Sequence, residues 1–279
     1  MKVNKFSINI YNLLFILFIL FILFIIFYHI LYKNFLIERF STYNSNKYTA
    51  IIIEPREHKA LSFVLKNFLE NLSDEWNIII MHGNKNIEYI NNIINNNLSE
   101  YKNRIIMKNL NVDNLTIKDY NKLLVSKQFY EEIPTEILLI FQTDSIICES
   151  NKSRINDFLE YDYVGAPWEN GGVGNGGLSL RRKSAMIEKI ENCHYDNIMA
   201  EDLFFYNNKC HKLNIPDEKT ASYFSTEQVY NKDSFGTHKS WLWLKPNEFN
   251  EMNNYCKNLD DLANLQYKRK NRWVKKKIL

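Results

Sequence analysis

From Tyr11 to Tyr32 the chain runs YNLLFILFILFILFIIFYHILY without a charged side chain, and nothing else in it limits the fold so tightly. As a helix rising about 1.5 Å per residue, this run reaches across a hydrocarbon core about 30 Å thick. A helix apolar on every face needs apolar partners all round to sit in a globular core. No small-residue cleavage site is present, and Tyr11, Tyr28 and Tyr32 suit the membrane interfaces, so a retained anchor is expected rather than a removed signal peptide. The 279 residues then divide into an N-terminal tail (1–10), a transmembrane anchor (11–32), a stem (33–47), one domain (48–246) and a helical, basic C-terminal tail (247–279).

The anchor's direction is less legible. Lys2 and Lys5 precede the span, while Lys33 and Arg39 follow it, so the charge rule is nearly tied. Asn-x-Ser/Thr triplets at Asn71, Asn97, Asn114 and Asn151 suit a lumenal domain. The terminal Lys276-Lys277-Ile278-Leu279 has the form of a dilysine signal, which is read only from the cytosol. A single-pass, type II arrangement with the domain lumenal is the expectation, on the functional grounds given below.

The chain is 46% hydrophobic and 14% aromatic, enough for a sizeable core and too much for wholesale disorder. A net charge of +3 gives no ground for a nucleic-acid partner, which needs clustered cations on one face. The one cluster, Lys268 to Lys277, suits a solvated tail or contact with an anionic surface. Cys148, Cys193, Cys210 and Cys256 form no Cys-x-x-Cys pair, so no zinc site is legible, and disulfides are open to a lumenal domain.

Within the domain, short β-branched runs at Thr49 to Ile53, Trp76 to Met81, Arg104 to Met107 and Glu136 to Phe141 have the length of buried strands. Helical spacing fills His58 to Asn71, Ile87 to Asn97 and Ile117 to Phe129. This alternation predicts an α/β fold, a mostly parallel Rossmann-like sheet with helices on both faces. Ligands of such sheets bind beyond the carboxyl ends of the strands, where Glu54-Pro55-Arg56, His82-Gly83 and Gln142-Thr143-Asp144 fall. The loop GGVGNGG (residues 171–177) holds five of the chain's eight glycines, which suits close backbone approach. Gly172-x-Gly174-x-x-Gly177 formally matches a dinucleotide fingerprint but lies past four strands, where that motif has no role.

Three places carry candidate chemistry. Asp144, in LLIFQTDSII, is either a ligand for a hard divalent cation or a cap on the following turn. Glu201-Asp202 opens a helical run, as a general base or as acids favoured by the helix dipole. His238, after Gly236, is either a second metal ligand or a structural imidazole.

The segments IIIEPR (Ile51 to Arg56), LLIFQTDSII (Leu138 to Ile147), YDYVGAPW with GNGGLSLR (Tyr161 to Trp168, Gly174 to Arg181) and SFGTHKSW (Ser234 to Trp241) occur in this order. In them the chain from about Tyr48 to Leu244 resembles a glycosyltransferase-like domain family of unassigned activity, found in giant viruses, fungi and other eukaryotes. That family is similar to the GT-A-fold, nucleotide-sugar-dependent glycosyltransferases. The resemblance implies a GT-A-like fold, a nucleotide-sugar donor, a glycan or protein hydroxyl acceptor, and Mn²⁺ or Mg²⁺ on Asp144 and His238. It further implies that Glu54, Arg56, Gln142 and Thr143 flank the nucleotide, and that Trp168, Gly176 and Gly177 shape the sugar and acceptor site. Asp202 would be the base, with Glu201 the next candidate. One departure stands out: Gln142 replaces the first acid of the usual Asp-x-Asp motif, which would weaken or abolish metal binding and leave Arg56 or Arg181 to carry the diphosphate. The expectation is a membrane-anchored, inverting glycosyltransferase; the alternative is an inactive, tethered nucleotide- or glycan-binding module.

Overall fold

The computed structural model describes residues 17–29, 47–207 and 209–266. It divides into two units at Ser45–Asn46. In the first, residues 17–29 form an apolar helix, α1, with every side chain exposed. Among the described residues no helix is long and apolar enough to cross a membrane. The remaining residues of the expected anchor, the tail 1–10, stem residues 33–46 and the basic cluster after Gln266 lie outside the described residues.

The second unit is built on a six-stranded sheet of order β3-β2-β1-β4-β7-β6. Strands β1 (Tyr48–Ile53), β2 (Trp76–His82), β3 (Ile105–Asn109) and β4 (Ile137–Phe141) are parallel. After β5 (Ser145–Ile147) and β6 (Tyr163–Val164) comes β7 (Leu178–Arg182), antiparallel to both β4 and β6. The sheet is therefore mostly parallel, as the alternating pattern predicts.

Period-2 side-chain alternation explains why both faces are dry. Ala50, Ile52, Ile78, Ile80, Leu139 and Phe141 enter one core, packed with helices α2 (Leu61–Asn71) and α3 (Ile87–Asn97). Their neighbours Ile51, Ile53, Ile79, Met81, Leu138 and Ile140 enter a second core. That one is covered by α4 (Ile117–Leu124), α5 (Lys127–Glu131), α6 (Lys183–Asn192) and α7 (Glu201–Tyr206). The helix expected from Ile117 to Phe129 is two, because the Ser126 side chain accepts the Phe129 N–H and caps a new start.

After α8 (Glu218–Ser222), strands β8 (Ser225–Thr226) and β9 (Gly236–His238) join β5 in a separate three-stranded sheet of order β5-β9-β8. Helices α9 (Pro246–Tyr255) and α10 (Leu259–Gln266) follow. These residues, expected as a tail outside the domain, are part of its first core through Met252, Cys256, Leu259 and Leu262, all fully buried. Disulfides Cys148–Cys256 and Cys193–Cys210 use all four cysteines.

Candidate active site

A cavity of about 490 Å³ opens where β1 and β4 end. Glu54, Arg56, Gln142, Thr143 and Asp144 line it from those strand ends. From across the cleft come Gly176, Gly177, Glu201, Asp202 and His238. Ten of the twelve residues singled out by sequence therefore share one concavity.

Asp144 and His238 meet because of strand register. Asp144 lies in a tight turn between β4 and β5, closed by the Ser145 N–H donating to the Gln142 carbonyl at 3.0 Å. β9 runs antiparallel to β5 with His238 opposite Ser145, and the Lys239 N–H donates to the Asp144 carbonyl at 3.1 Å. His238 Nε2 and Asp144 Oδ1 are 3.2 Å apart. Both atoms are buried, and neither meets the geometry of a full hydrogen bond. Burial alone would raise the Asp144 pKa, but His238 and Lys239 outweigh it and hold the carboxyl down at about 2. For His238, burial works against charge, yet Asp144 and Glu227 together raise its pKa above the ordinary imidazole value.

This pair fits a hard cation. An octahedral ion with ligand bonds of about 2.1 Å sets neighbouring ligand atoms about 3 Å apart, close to the observed gap, and buried polar atoms without partners are costly unless something engages them. Among the described residues no group of three or more His, Cys, Asp or Glu side chains could hold a metal ion. Such an ion would therefore take its remaining ligands from substrate oxygens and water.

The glycine loop passes between His238 and α7. A Cβ on Gly177 would fall 2.2 Å from His238 Nε2, and one on Gly176 would fall 1.7 Å from Glu201 Oε1. Any larger residue at either position would displace a site side chain. Asp202 lines the cavity half-buried; its Oδ2 accepts the Gly176 N–H at 3.3 Å and its Oδ1 the Leu203 N–H at 2.8 Å.

Arg181 and Trp168 do not line the cavity. The Arg181 side chain is fully buried and held by Glu201, at 2.9 and 3.0 Å, by the Tyr130 hydroxyl and by Ser179 Oγ. Its guanidinium also faces the rings of Tyr163 and Phe205. A cation so engaged has no reach to a diphosphate, which corrects the role expected for it. Its partner Glu201, pushed up in pKa mainly by burial, is tied down by the same pairing. Trp168 packs its ring over Gly174 and edge-on to Tyr206, next to the loop rather than in the cavity wall.

Two further cations face the cavity. Arg56 Nε and Nη2 donate to the Glu54 carboxylate at 2.8 and 2.9 Å, which aims a half-exposed guanidinium along the rim. Lys239 Nζ lies 3.4 Å from Asp144 Oδ2. Gln142 donates to the Tyr120 hydroxyl at 3.1 Å. Glu227, Lys239 and Tyr120 also line the cavity, and sequence reasoning did not single them out. Lys239 sits inside the recognisable SFGTHKSW segment and could have been found by its place beside His238. Glu227 follows a strand of only two residues, too short for any periodicity to reveal.

A protein-family model described as "Protein of unknown function (DUF5672)" matches residues 104–238. No curated protein matches the chain. Among solved structures, HddC from Yersinia pseudotuberculosis is similar at 12% identity and a TM-score of 0.44, over 76% of this chain and 98% of that one. S. aureus TarS 1–349 in complex with UDP-GlcNAc matches at 12% identity and a TM-score of 0.44, over 81% and 72%. The mannosyltransferase PcManGT from Pyrobaculum calidifontis, in complex with GDP-Man and Mn²⁺, matches at 11% identity and a TM-score of 0.43, over 56% and 49%. Likenesses of this degree carry no functional conclusion for the present chain.

Proposed function

We propose that the chain is a membrane-anchored GT-A-like glycosyltransferase that moves a sugar, with inversion, from a nucleotide-sugar donor to a hydroxyl acceptor. One observation carries the reading: Asp144, His238 and Asp202, more than thirty positions apart in sequence, face one cavity at the carboxyl ends of parallel strands. Asp144 and His238 would hold Mn²⁺ or Mg²⁺. Bound there, such a cation would supply positive charge for a departing diphosphate. Arg56 and Lys239 add positive charge on the same rim, in the role Arg181 cannot fill.

Asp202 accepts the proton of the acceptor hydroxyl as that oxygen bonds to the anomeric carbon and the bond from this carbon to the diphosphate oxygen breaks. The Gly176 and Leu203 N–H groups fix its carboxylate in place. Glu201, locked to Arg181, anchors the start of α7 and so orients its neighbour. Glu54 holds Arg56; Gln142 and Thr143 border the nucleotide. Residues 11–32 tether the domain to the membrane.

The test begins with a thermal-shift screen of nucleotide sugars, with and without Mn²⁺, since a ligand selective for the folded state raises its melting point in proportion to affinity. Transfer or donor hydrolysis is then measured for the best ligand. Asp202→Asn is expected to lower kcat at least a hundredfold; equal turnover in both proteins would remove Asp202 as base. Gln142 in place of an acid favours a second reading, a binding module without turnover. Nucleotide binding by calorimetry with no turnover on any donor would select it.

A further inference from the structure

We propose that Glu227 is the positioning residue of the Asp144–His238 pair, accepting the His238 Nδ1 proton and so presenting the Nε2 lone pair to a divalent cation. This rests on the cation reading given under Proposed function.

The geometry follows from the small sheet. β8 runs parallel to β9 with Ser225 paired to Gly236 and Thr226 to Thr237, so Glu227 comes next to His238 by continuation of the same register. β5, on the other side of β9, brings Asp144 to the opposite flank of the ring. One residue from the end of each of three strands thus forms a row: Glu227, His238, Asp144. Glu227 Oε1 is 3.6 Å from His238 Nδ1, and Asp144 Oδ1 is 3.2 Å from Nε2.

Burial gives the row its consequence. Glu227 is 5% and His238 4% exposed. Glu227 Oε2 and His238 Nδ1 have no hydrogen-bond partner. At 3.6 Å the contact is longer than a hydrogen bond, and a shift of about half an ångström makes it one. A neutral imidazole carries a single ring proton. Were Asp144 the only carboxylate beside the ring, the proton would sit on Nε2 and close that nitrogen to a metal. A second carboxylate at Nδ1 takes the proton there and frees the Nε2 lone pair, the arrangement by which a ligating imidazole is oriented and made more basic.

The row also distinguishes positioning from ligation. A Gln at 227 keeps a carbonyl oxygen that accepts from Nδ1–H but removes the negative charge. Ala removes both.

The experiment uses the full-length, solubilised chain. Mn²⁺ affinity is read from the EPR signal of the free ion for wild type, Glu227→Gln and Glu227→Ala. Glu227→Ala is expected to bind 10- to 100-fold more weakly, and Glu227→Gln within about fivefold of wild type. Unchanged affinity in Glu227→Ala overturns the proposal. Equal loss in both variants also overturns it, because it makes Glu227 a ligand or a bare charge. ¹⁵N NMR of histidine-labelled wild type at alkaline pH supplies a second readout that depends on no variant folding. His238 protonated at Nδ1 supports the assignment, and protonation at Nε2 overturns it. A wild type that binds no Mn²⁺ yet shows the Nδ1 tautomer sinks the cation reading while leaving Glu227's hold on the ring standing.

Discussion

At the scale of single residues, the decisive contrast is between the two kinds of charge in the site. Asp144 and His238 are buried side by side with Asp144 Oδ1 and both imidazole nitrogens unbonded; Arg181 and Glu201 are buried as an ion pair in which the Arg181 Nη2 group also donates to Glu201 Oε1. Breaking a buried ion pair by removing one partner costs about 3–5 kcal/mol, because the survivor is left as an uncompensated charge. Arg181→Met is therefore expected to lower the melting temperature by roughly 10 °C, and Arg181→Met with Glu201→Gln to recover part of that loss, as a double-mutant cycle by calorimetry would show. No recovery would mean that the stacking of Arg181 on Tyr163 and Phe205, rather than the ion pair, is what matters. Sequence exposed Arg181 as a cation near a glycine loop but not its direction. On a strand covered on both faces, no pattern of neighbours marks which charged residue turns inward to a partner twenty positions away. Asp144 was legible because an acid closing an apolar strand stands out from its surroundings, whereas Glu227 closes a strand too brief to be seen.

At the scale of elements, the parallel strands and the helices over them were visible because each carries a full period of its pattern. The small sheet was not, since β8 and β9 span two and three residues and their pairing is set by the rest of the fold. Helix α7 shows a similar dependence. It is six residues long, too short to hold itself in water, and it lies inside the loop that Cys193–Cys210 closes. Its hold on the domain comes from Phe204 and Phe205 in the second core, from Arg181 on Glu201, and from that disulfide. A link across a loop of this length contributes about 3 kcal/mol by restricting the unfolded chain. Replacing both cysteines by alanine should cost stability of that order in a denaturant titration. On the proposed reading it should also lower kcat more than it raises KM, because Asp202 would lose its fixed place while Arg56, Asp144 and His238 would keep theirs. A pure stability loss with kcat intact would detach the disulfide from the site.

At the scale of the whole molecule, the disulfides bear on which side of a membrane the proposed anchor would set the domain, which the flanking charges leave tied. Disulfides persist in oxidising compartments and are rare in the reducing cytosol. Here all four cysteines are paired, one link joining the end of β5 to the end of α9 across 108 residues and the other closing the loop around α7. Paired cysteines would suit the lumenal placement of the domain expected from the sequence. Protein taken from cells with thiols blocked at lysis should take up no maleimide until it is reduced, then take up four equivalents by mass spectrometry. Reduction should also lower the melting temperature, most through Cys148–Cys256, whose loop of about a hundred residues is worth about 4.7 kcal/mol in the chain-entropy account. Four reactive thiols before reduction would place the domain in the cytosol instead. The four Asn-x-Ser/Thr triplets would then be left without a glycosylating enzyme to meet them.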